Sequence, residues 1–400
     1  MTPRNATMPD HPQGWRVVGG AFLVLLGGWS AIYAYAAFAP ALARAADVTE
    51  PSLYVVYALA GGACFLTGAL AGPLADRAGA RGPALAGAAA VATGLLLAAE
   101  SDSLAALALT FGLLAGIGVG LAYIPAMAAV QCCFTARRGL ASGIAATGIA
   151  TATLLVPVIA AWLAPIGDWR AQMRVLALVT LLPGLAGAML LPGAIARGVA
   201  LDGPRLGAVR RSPAFLRLYV AVLLVSMPAS LPFALLPRSA ELASLPRDEA
   251  LALLAAVGIG SMVGRLVLGH VADRFGRGAT LLLCCLGVSL SMAVWACAGS
   301  AALMPFALAF GAFQGGFVAL YPSVTVELFG RRSAAGASGL LSTGRGIAVL
   351  VAAPAVAMAT SLLGETLPIL LTGLCGLAGC ALLPGVVAPA RRPASIFQPV

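Results

Sequence analysis

The sequence predicts an all-α membrane protein whose twelve spanning helices form two six-helix halves. Three observations predict this architecture: the composition, the length of the apolar segments and an internal repeat. Of the 400 residues, 61% are hydrophobic and 10% are charged, whereas a soluble domain is typically about 45–50% apolar and about 25% charged. The chain is therefore expected to lie in a lipid bilayer, and a water-soluble enzyme is excluded.

Unbroken apolar segments supply the predicted helices. A spanning helix needs about 20 mostly apolar residues, and dividing the chain at polar, proline and glycine residues yields twelve candidates. They are residues 17–43, 52–74, 83–99, 104–133, 140–163, 171–195, 216–236, 249–271, 279–298, 301–328, 335–360 and 363–387. A membrane barrel is excluded because its strands would be about ten residues long and alternate in polarity. The first segment is too long for the apolar core of a signal peptide and should stay in the mature protein.

An offset of 197 residues superposes the second half of the sequence on the first. The matched positions are Pro40 with Pro237, Gly72 with Gly269, Pro125 with Pro322, and Pro157 with Pro354. Because each half holds an even number of segments, both halves enter the membrane from the same side, as in the parallel repeats of transporters. We expect an N-terminal six-helix half at residues 1–196, a cytoplasmic central loop at 197–215 and a C-terminal six-helix half at 216–400.

The distribution of positive charge predicts the orientation. All 24 basic residues are arginine. With both termini in the cytoplasm, seventeen arginines fall in inner segments and five in outer loops, in agreement with the positive-inside rule. The expected location is the cell inner (plasma) membrane, crossed many times. Because the arginines occur singly or in pairs, no nucleic-acid partner is expected. The eight cysteines lie in or at the ends of apolar segments without metal-ligand spacing, so no metal or other cofactor is expected.

Two arginines, Arg265 and Arg345, fall inside apolar segments. An arginine at the centre of a membrane helix costs about 2.5–3.5 kcal/mol on insertion scales, so it normally faces a cavity or a partner. All 14 acidic residues lie in termini, in loops or at the ends of segments. We therefore predict that the missing counter-ion is the substrate, a carboxylate or another small anion bound by the forked guanidinium groups.

Alternatives remain open for these two positions. Arg265 lies close enough to the inner end of its segment to extend towards water, whereas Arg345 lies about 15 Å inside its segment at 1.5 Å per residue. The repeat aligns Arg265 with Gly68 and Arg345 with Gly148. These glycines either leave room for a ligand or serve close helix packing.

The duplicated segments Gly72–Gly79 and Gly269–Gly276 predict a gate. Each holds a close-packing glycine, an acid at the end of a helix and an arginine at the start of a short loop. A single surface ion pair would contribute little, but a duplicated one at an inner boundary can bias which face of the protein is open. The predicted gating residues are Asp76, Arg77, Asp273 and Arg274.

The twelve segments, the duplicated Gly-x-x-x-Asp-Arg-x-Gly segment and the basic central loop resemble the major facilitator superfamily. Residues 116–125 and 134–143 resemble its monocarboxylate-transporter and oxalate:formate-antiporter branch. Gly264-Arg265 resembles the substrate-binding arginine of that branch. Thr343-Gly344-Arg345-Gly346 resembles a motif of the antiporters in which a lysine is usual. The resemblance implies that the two halves move around a central site.

Aromatic residues complete the predicted site. Phe317 and Tyr321 fall where the resembling branch places aromatic residues over the substrate, and mid-segment tyrosines can donate hydrogen bonds to an anion. For any one of these rings, packing in the core is the alternative. The predicted substrate-binding set is Arg265, Arg345, Tyr321, Tyr123, Phe317 and Tyr33.

The expected function is secondary active transport of small organic carboxylate anions, by exchange and with a monomeric functional unit. Proton-coupled members of the branch carry an acid one turn before the arginine of segment eight and a lysine in segment one. Ser261 and Tyr33 occupy those places here, which favours exchange. A proton-coupled monocarboxylate permease and a non-transporting membrane receptor of the same fold remain alternatives. An exporter of hydrophobic cations is disfavoured because its cavity would need acids.

Overall fold

Twelve long helices, α1 to α12, make up most of the described chain, which contains no strand. The structure is a computed structural model that describes residues 11–163, 165, 168–193, 203–242, 244–297 and 299–387. The helices are Gly14–Ala45 (α1), Tyr54–Ala78 (α2), Arg81–Ala99 (α3), Leu104–Cys133 (α4), Arg138–Leu163 (α5), Trp169–Leu190 (α6), Pro213–Leu242 (α7), Arg247–Phe275 (α8), Arg277–Cys297 (α9), Leu303–Phe329 (α10), Ala334–Leu363 (α11) and Thr366–Leu382 (α12).

The predicted fold class is confirmed, because each of the twelve apolar segments forms a helix. Eleven of these helices are long and apolar enough to cross a membrane, and α12 is a shorter apolar helix of 17 residues. Several boundaries differ from the prediction: α6 ends at Leu190 rather than at 195, and α7 extends to Leu242 rather than to 236. Helix α11 continues to Leu363 and ends at Gly364, whose φ of 74° lies in the left-handed region. Helix α12 ends before Pro384, which has no N–H to continue it.

The predicted central loop is described in part. It contains the short helix Leu206–Val209 and the start of α7 at Pro213. Residues 197–202, including Arg197, lie outside the described residues, as do residues 1–10 and 388–400, which carry the predicted cytoplasmic termini.

Equivalent glycines of the repeat end two of the helices. Gly79 follows α2 with φ of 84°, and Gly276 follows α8 with φ of 104°. Glycine adopts this left-handed conformation without steric cost and is therefore favoured directly after a helix. Asp76 and Asp273 thus lie at the same end of the bundle, called here the Asp-Arg face. The opposite end, where α1 ends and α2 begins, is called the mouth face.

Small residues let the two halves approach closely at the Asp-Arg face. Helix α2 packs against α11 and α5 packs against α8, two contacts that the internal repeat relates to each other. A Cβ atom on Gly269 would lie 2.7 Å from the carbonyl oxygen of Gly139, and one on Gly68 would lie 2.9 Å from that of Gly339. Such contacts are typical of small residues between membrane helices.

The two glycines aligned with the membrane arginines serve this packing. Gly68 lies against α11, as just described. A Cβ atom on Gly148 would lie 3.1 Å from the backbone nitrogen of Leu26 in α1. Neighbouring helices fill both places, so the interpretation in which these glycines leave room for a ligand is wrong.

Substituting Gly269 with alanine should separate α5 from α8. The added Cβ would meet the Gly139 carbonyl oxygen at 2.7 Å, a backbone atom that cannot move without its helix. Overpacking of this kind costs typically about 1–3 kcal/mol. We expect a lower melting temperature in detergent. We also expect cysteines at the Asp-Arg face to react faster with a water-soluble thiol-reactive reagent.

Gly19→Ala is the matched control, because a Cβ there meets nothing within 4 Å. Equal melting temperatures and equal accessibility for the two variants would contradict the close contact between α5 and α8.

Candidate functional site

A cavity of about 560 Å³ lies between the two halves. Helices α1, α2 and α5 of the first half and α7, α8, α10 and α11 of the second contribute its lining, which is largely apolar and aromatic. Tyr54 and Val55, at the start of α2, line the cavity and are 48% and 47% exposed. The cavity therefore extends from the middle of the bundle to the mouth face. Its volume and its apolar lining with few polar groups are typical of small-molecule sites.

Arg265 and Arg345 lie in the wall of this cavity and are only 2% and 8% exposed. In each guanidinium group, Nε and Nη1 are buried and lack a hydrogen-bond partner among the described residues. The lining contains no carboxylate. The alternative in which Arg265 extends to water is wrong, because its side chain is enclosed. The cavity thus presents two positive charges with unused donors.

Aromatic rings surround the guanidinium group of Arg345. Its Cζ lies 4.3 Å from the ring centroid of Phe65, 5.3 Å from that of Tyr321 and 5.7 Å from that of Phe317. The faces of aromatic rings attract cations within about 6 Å. These contacts stabilise the charge while Nε and Nη1 keep unused donors, so the group remains available to an anion.

The six residues predicted to bind substrate divide into two groups. Arg265, Arg345 and Tyr33 line the cavity, whereas Tyr123, Tyr321 and Phe317 are at most 2% exposed and do not. The hydroxyl groups of Tyr123 and Tyr321 lie 3.4 Å apart and join α4 to α10. These three rings form a layer next to Arg345, and direct contact with substrate stays a prediction for them.

Several lining residues are absent from the predicted set, notably Trp29, Phe65 and Gln314. The hydroxyl of Ser261 donates to Oε1 of Gln314 at 3.2 Å and fixes the orientation of the amide. Gln314 is an amide in the middle of an apolar segment, and polar residues at such positions are commonly functional. That signal could have identified Gln314. Trp29 and Phe65 look like ordinary core residues in the sequence.

The duplicated acids make equivalent contacts between the halves. The carboxylate of Asp273 accepts hydrogen bonds from the backbone N–H groups of Gly139 and Leu140, both at 2.8 Å. That of Asp76 accepts from Ala335 at 3.1 Å and from Gly336 at 2.8 Å. Each acid therefore caps the first turn of α5 or α11 in the opposite half, where free N–H groups and the helix dipole favour a negative charge.

The arginines of this face pair differently from the prediction. Nη2 of Arg277 lies 2.8 Å from Oδ1 of Asp273 and donates to the carbonyl oxygen of Thr135 at 2.6 Å. Nη1 of Arg277 lies 3.4 Å from Oε2 of Glu327. Within the described chain, no carboxylate pairs with Arg77 or Arg274, and Arg274 lies over the ring of Phe275. The contact at Asp273 thus includes a guanidinium group, whereas the contact at Asp76 uses backbone amides alone. A gating role for Arg77 and Arg274 stays a prediction.

Replacing Asp273 with asparagine should change the transport rate more than the affinity. The amide cannot accept from both Gly139 and Leu140, and it removes the charge at the start of α5, an N-terminal contact worth about 0.5–2 kcal/mol. The α8 residue that lines the cavity, Arg265, lies eight residues from Asp273, about 12 Å at 1.5 Å per residue, so binding should change less than twofold. Initial transport rates and equilibrium binding separate the two effects.

The control is Asp102→Asn, which removes an exposed carboxylate paired with Arg170 away from this contact. Asp76→Asn should resemble Asp273→Asn. A variant that loses affinity while its transport rate at saturating substrate is unchanged would contradict a gating role for these acids.

Comparison with known proteins identifies the family. The model of the Major Facilitator Superfamily matches residues 17–353 and 218–399. Monocarboxylate transporter 13 of Bos taurus is 29% identical over 357 residues, which cover 87% of this chain and 83% of the relative. Monocarboxylate transporter 11 of Mus musculus is 30% identical over 281 residues, covering 68% and 62%.

Solved structures agree in fold. The proton:xylose symporter XylE superposes with a TM-score of 0.77 at 15% identity, covering 94% of this chain and 96% of that one. The human organic anion transporter MFSD10 superposes with a TM-score of 0.72 at 20% identity, covering 93% and 100%. Together with the twelve-helix architecture, the family-model match shows that this chain belongs to the Major Facilitator Superfamily, as a transporter related to its monocarboxylate branch.

Proposed function

We propose that this transporter carries small organic carboxylate anions and binds them between Arg265 and Arg345. The observation that carries the proposal is the pair of enclosed guanidinium groups whose Nε and Nη1 atoms have no partner among the described residues. Unpaired charge in a membrane interior is costly, and a carboxylate offers the planar pair of oxygens that fits the guanidinium fork. The names of the monocarboxylate transporters related to this chain agree with an anionic substrate.

Alternating access follows from the arrangement of the two faces. The cavity extends to the mouth face, and the caps formed by Asp76 and Asp273 hold the halves together at the Asp-Arg face. If these caps separate while the mouth face closes, the same central site becomes accessible from the other side. In the predicted orientation, with both termini cytoplasmic, the cavity faces outwards from the cell membrane.

Exchange is the coupling mode that the charges favour. No lining residue of the described cavity is an acid or a histidine that would carry a proton with the substrate. His270, near the end of α8 at the Asp-Arg face, is exposed and lies outside the cavity lining. We therefore propose that one carboxylate returns as another crosses.

Reconstitution into liposomes tests the proposed substrate class. Purified protein should take up at least one short mono- or dicarboxylate with saturable kinetics, and unlabelled carboxylates should compete. Protein-free liposomes are the control. Uptake of a neutral or cationic compound without any binding of carboxylates would overturn the proposal, and uptake that requires a proton gradient would favour a proton-coupled permease.

A further inference from the structure

Trp29 places a buried hydrogen-bond donor in the cavity wall without a partner. The side chain lines the cavity, and its Nε1 atom is buried with no acceptor among the described residues. An indole nitrogen can only donate a hydrogen bond, and buried donors nearly always have an acceptor. The structure therefore leaves an indole N–H group at the cavity without a hydrogen-bond acceptor.

Packing of the tryptophan ring explains its position but not this unused donor. The ring centroid lies 5.8 Å from that of Tyr33, 6.0 Å from Phe65 and 6.1 Å from Tyr123. Three neighbouring rings thus hold the indole in place, and a phenylalanine would keep most of these contacts. The N–H group is the part of Trp29 that packing does not require.

The same aromatic wall links Trp29 to Arg345. The ring centroid of Phe65 lies 6.0 Å from that of the indole and 4.3 Å from Cζ of Arg345. Trp29 and Arg345 thus share Phe65 as a neighbour, and both line the same cavity. A carboxylate offers about four lone-pair sites, so an anion held by the fork of one arginine and a single hydrogen bond from the other has a site left for the indole N–H.

The two halves contribute unequally to the unpaired donors. In the described part of the chain, the buried side-chain nitrogens without a partner belong to Trp29, Arg265, Arg331 and Arg345. Trp29 lies on α1, in the first half, whereas the three arginines lie in the second. A hydrogen bond from Trp29 to an anion held by Arg265 and Arg345 would join the halves across the cavity.

We propose that the indole N–H of Trp29 is the third donor to the substrate, given by the first half to a carboxylate oxygen of the anion that the arginines hold. This proposal rests on the proposed function. The substrates that fit this arrangement are carboxylates with an oxygen free to face α1, as in 2-oxo acids, 2-hydroxy acids and short dicarboxylates. The bond draws α1 towards α8 and α11 when substrate is present.

Trp29→Phe tests the proposal because it keeps a ring and removes the donor. We expect carboxylate affinity, measured by isothermal titration, to fall about 10- to 100-fold, the range for a hydrogen bond to a charged group. Trp15→Phe is the matched control on the same helix: Trp15 contacts Phe134 at 5.0 Å and does not line the cavity. The carboxylate affinity of Trp15→Phe should stay within about twofold of that of the unmodified protein.

Magnetic resonance of the unmodified transporter provides a second readout. The chain has five tryptophans, so labelling them with an isotope gives a small set of indole N–H signals, assigned through the phenylalanine variants. Adding carboxylate should move the Trp29 signal downfield. This measurement remains decisive if Trp29→Phe fails to fold.

The outcomes separate the two proposals. If the unmodified protein binds no carboxylate, the proposed function is wrong. If it binds carboxylate while Trp29→Phe binds equally well, or while the Trp29 signal does not move, the assignment of Trp29 as a substrate donor is overturned.

Discussion

Arg345→Gln is expected to abolish carboxylate binding while the protein still folds and inserts into the membrane. Glutamine retains a polar group but removes the charge and the guanidinium fork. Removing one partner of a buried, hydrogen-bonded charge pair costs about 2–5 kcal/mol, equivalent to a loss of affinity of roughly 30-fold or more. Equilibrium binding of a labelled carboxylate to the purified variant measures the loss.

Arg265→Gln should have the same effect, and Arg265→Lys should lose most of the activity because a lysine lacks the planar fork. Arg174→Gln is the control: Arg174 is 48% exposed and pairs with Glu100 away from the cavity. If both glutamine variants bind carboxylate as tightly as the unmodified transporter, the two arginines do not form the anion site.

Exchange should be faster than net uptake by a large factor. Without substrate, closing the cavity would enclose two guanidinium groups that no acid of the described lining neutralises. Removing unpaired charges from water costs several kcal/mol each. A bound dianion cancels both charges, so the loaded transporter passes through the closed state more easily. The empty transporter should therefore return slowly.

Counterflow in liposomes measures this difference. Uptake of labelled carboxylate is followed at fixed pH with and without an internal pool of unlabelled carboxylate, and then with an imposed proton gradient. Rapid uptake is expected only with the internal pool. Equal rates for empty and loaded liposomes, or uptake driven strongly by the proton gradient, would contradict exchange and support symport.

The fold and the two arginines could be predicted from the sequence because membrane physics leaves few alternatives. A long apolar segment in lipid must form a helix, and a charge within it stands out from its surroundings. Arg265 and Arg345 therefore identified the region of the cavity without knowledge of its shape. The repeat predicted that Asp76 and Asp273 would make equivalent contacts.

The remaining features depend on how helices distant in the sequence pack together. Trp29 and Phe65 belong to the cavity wall because α1 and α2 turn these positions towards the space between the halves, and composition carries no signal of that direction. Tyr321 and Phe317 have the appropriate chemistry, but Arg345 covers them. At the Asp-Arg face, the spacing of Asp273 and Arg277, four residues apart, is a pairing signal that the prediction of Arg274 overlooked.

Recognition of the substrate by its negative charge is tested by comparing a carboxylate with its uncharged amide of the same shape. Thermal unfolding of the purified transporter is measured with each compound, because a ligand that binds the folded state raises the melting temperature. At least one short carboxylate should raise the melting temperature of the unmodified protein, its amide should not, and neither should affect Arg345→Gln. Equal stabilisation by the acid and its amide, or stabilisation that persists in Arg345→Gln, would contradict recognition of the substrate through its negative charge.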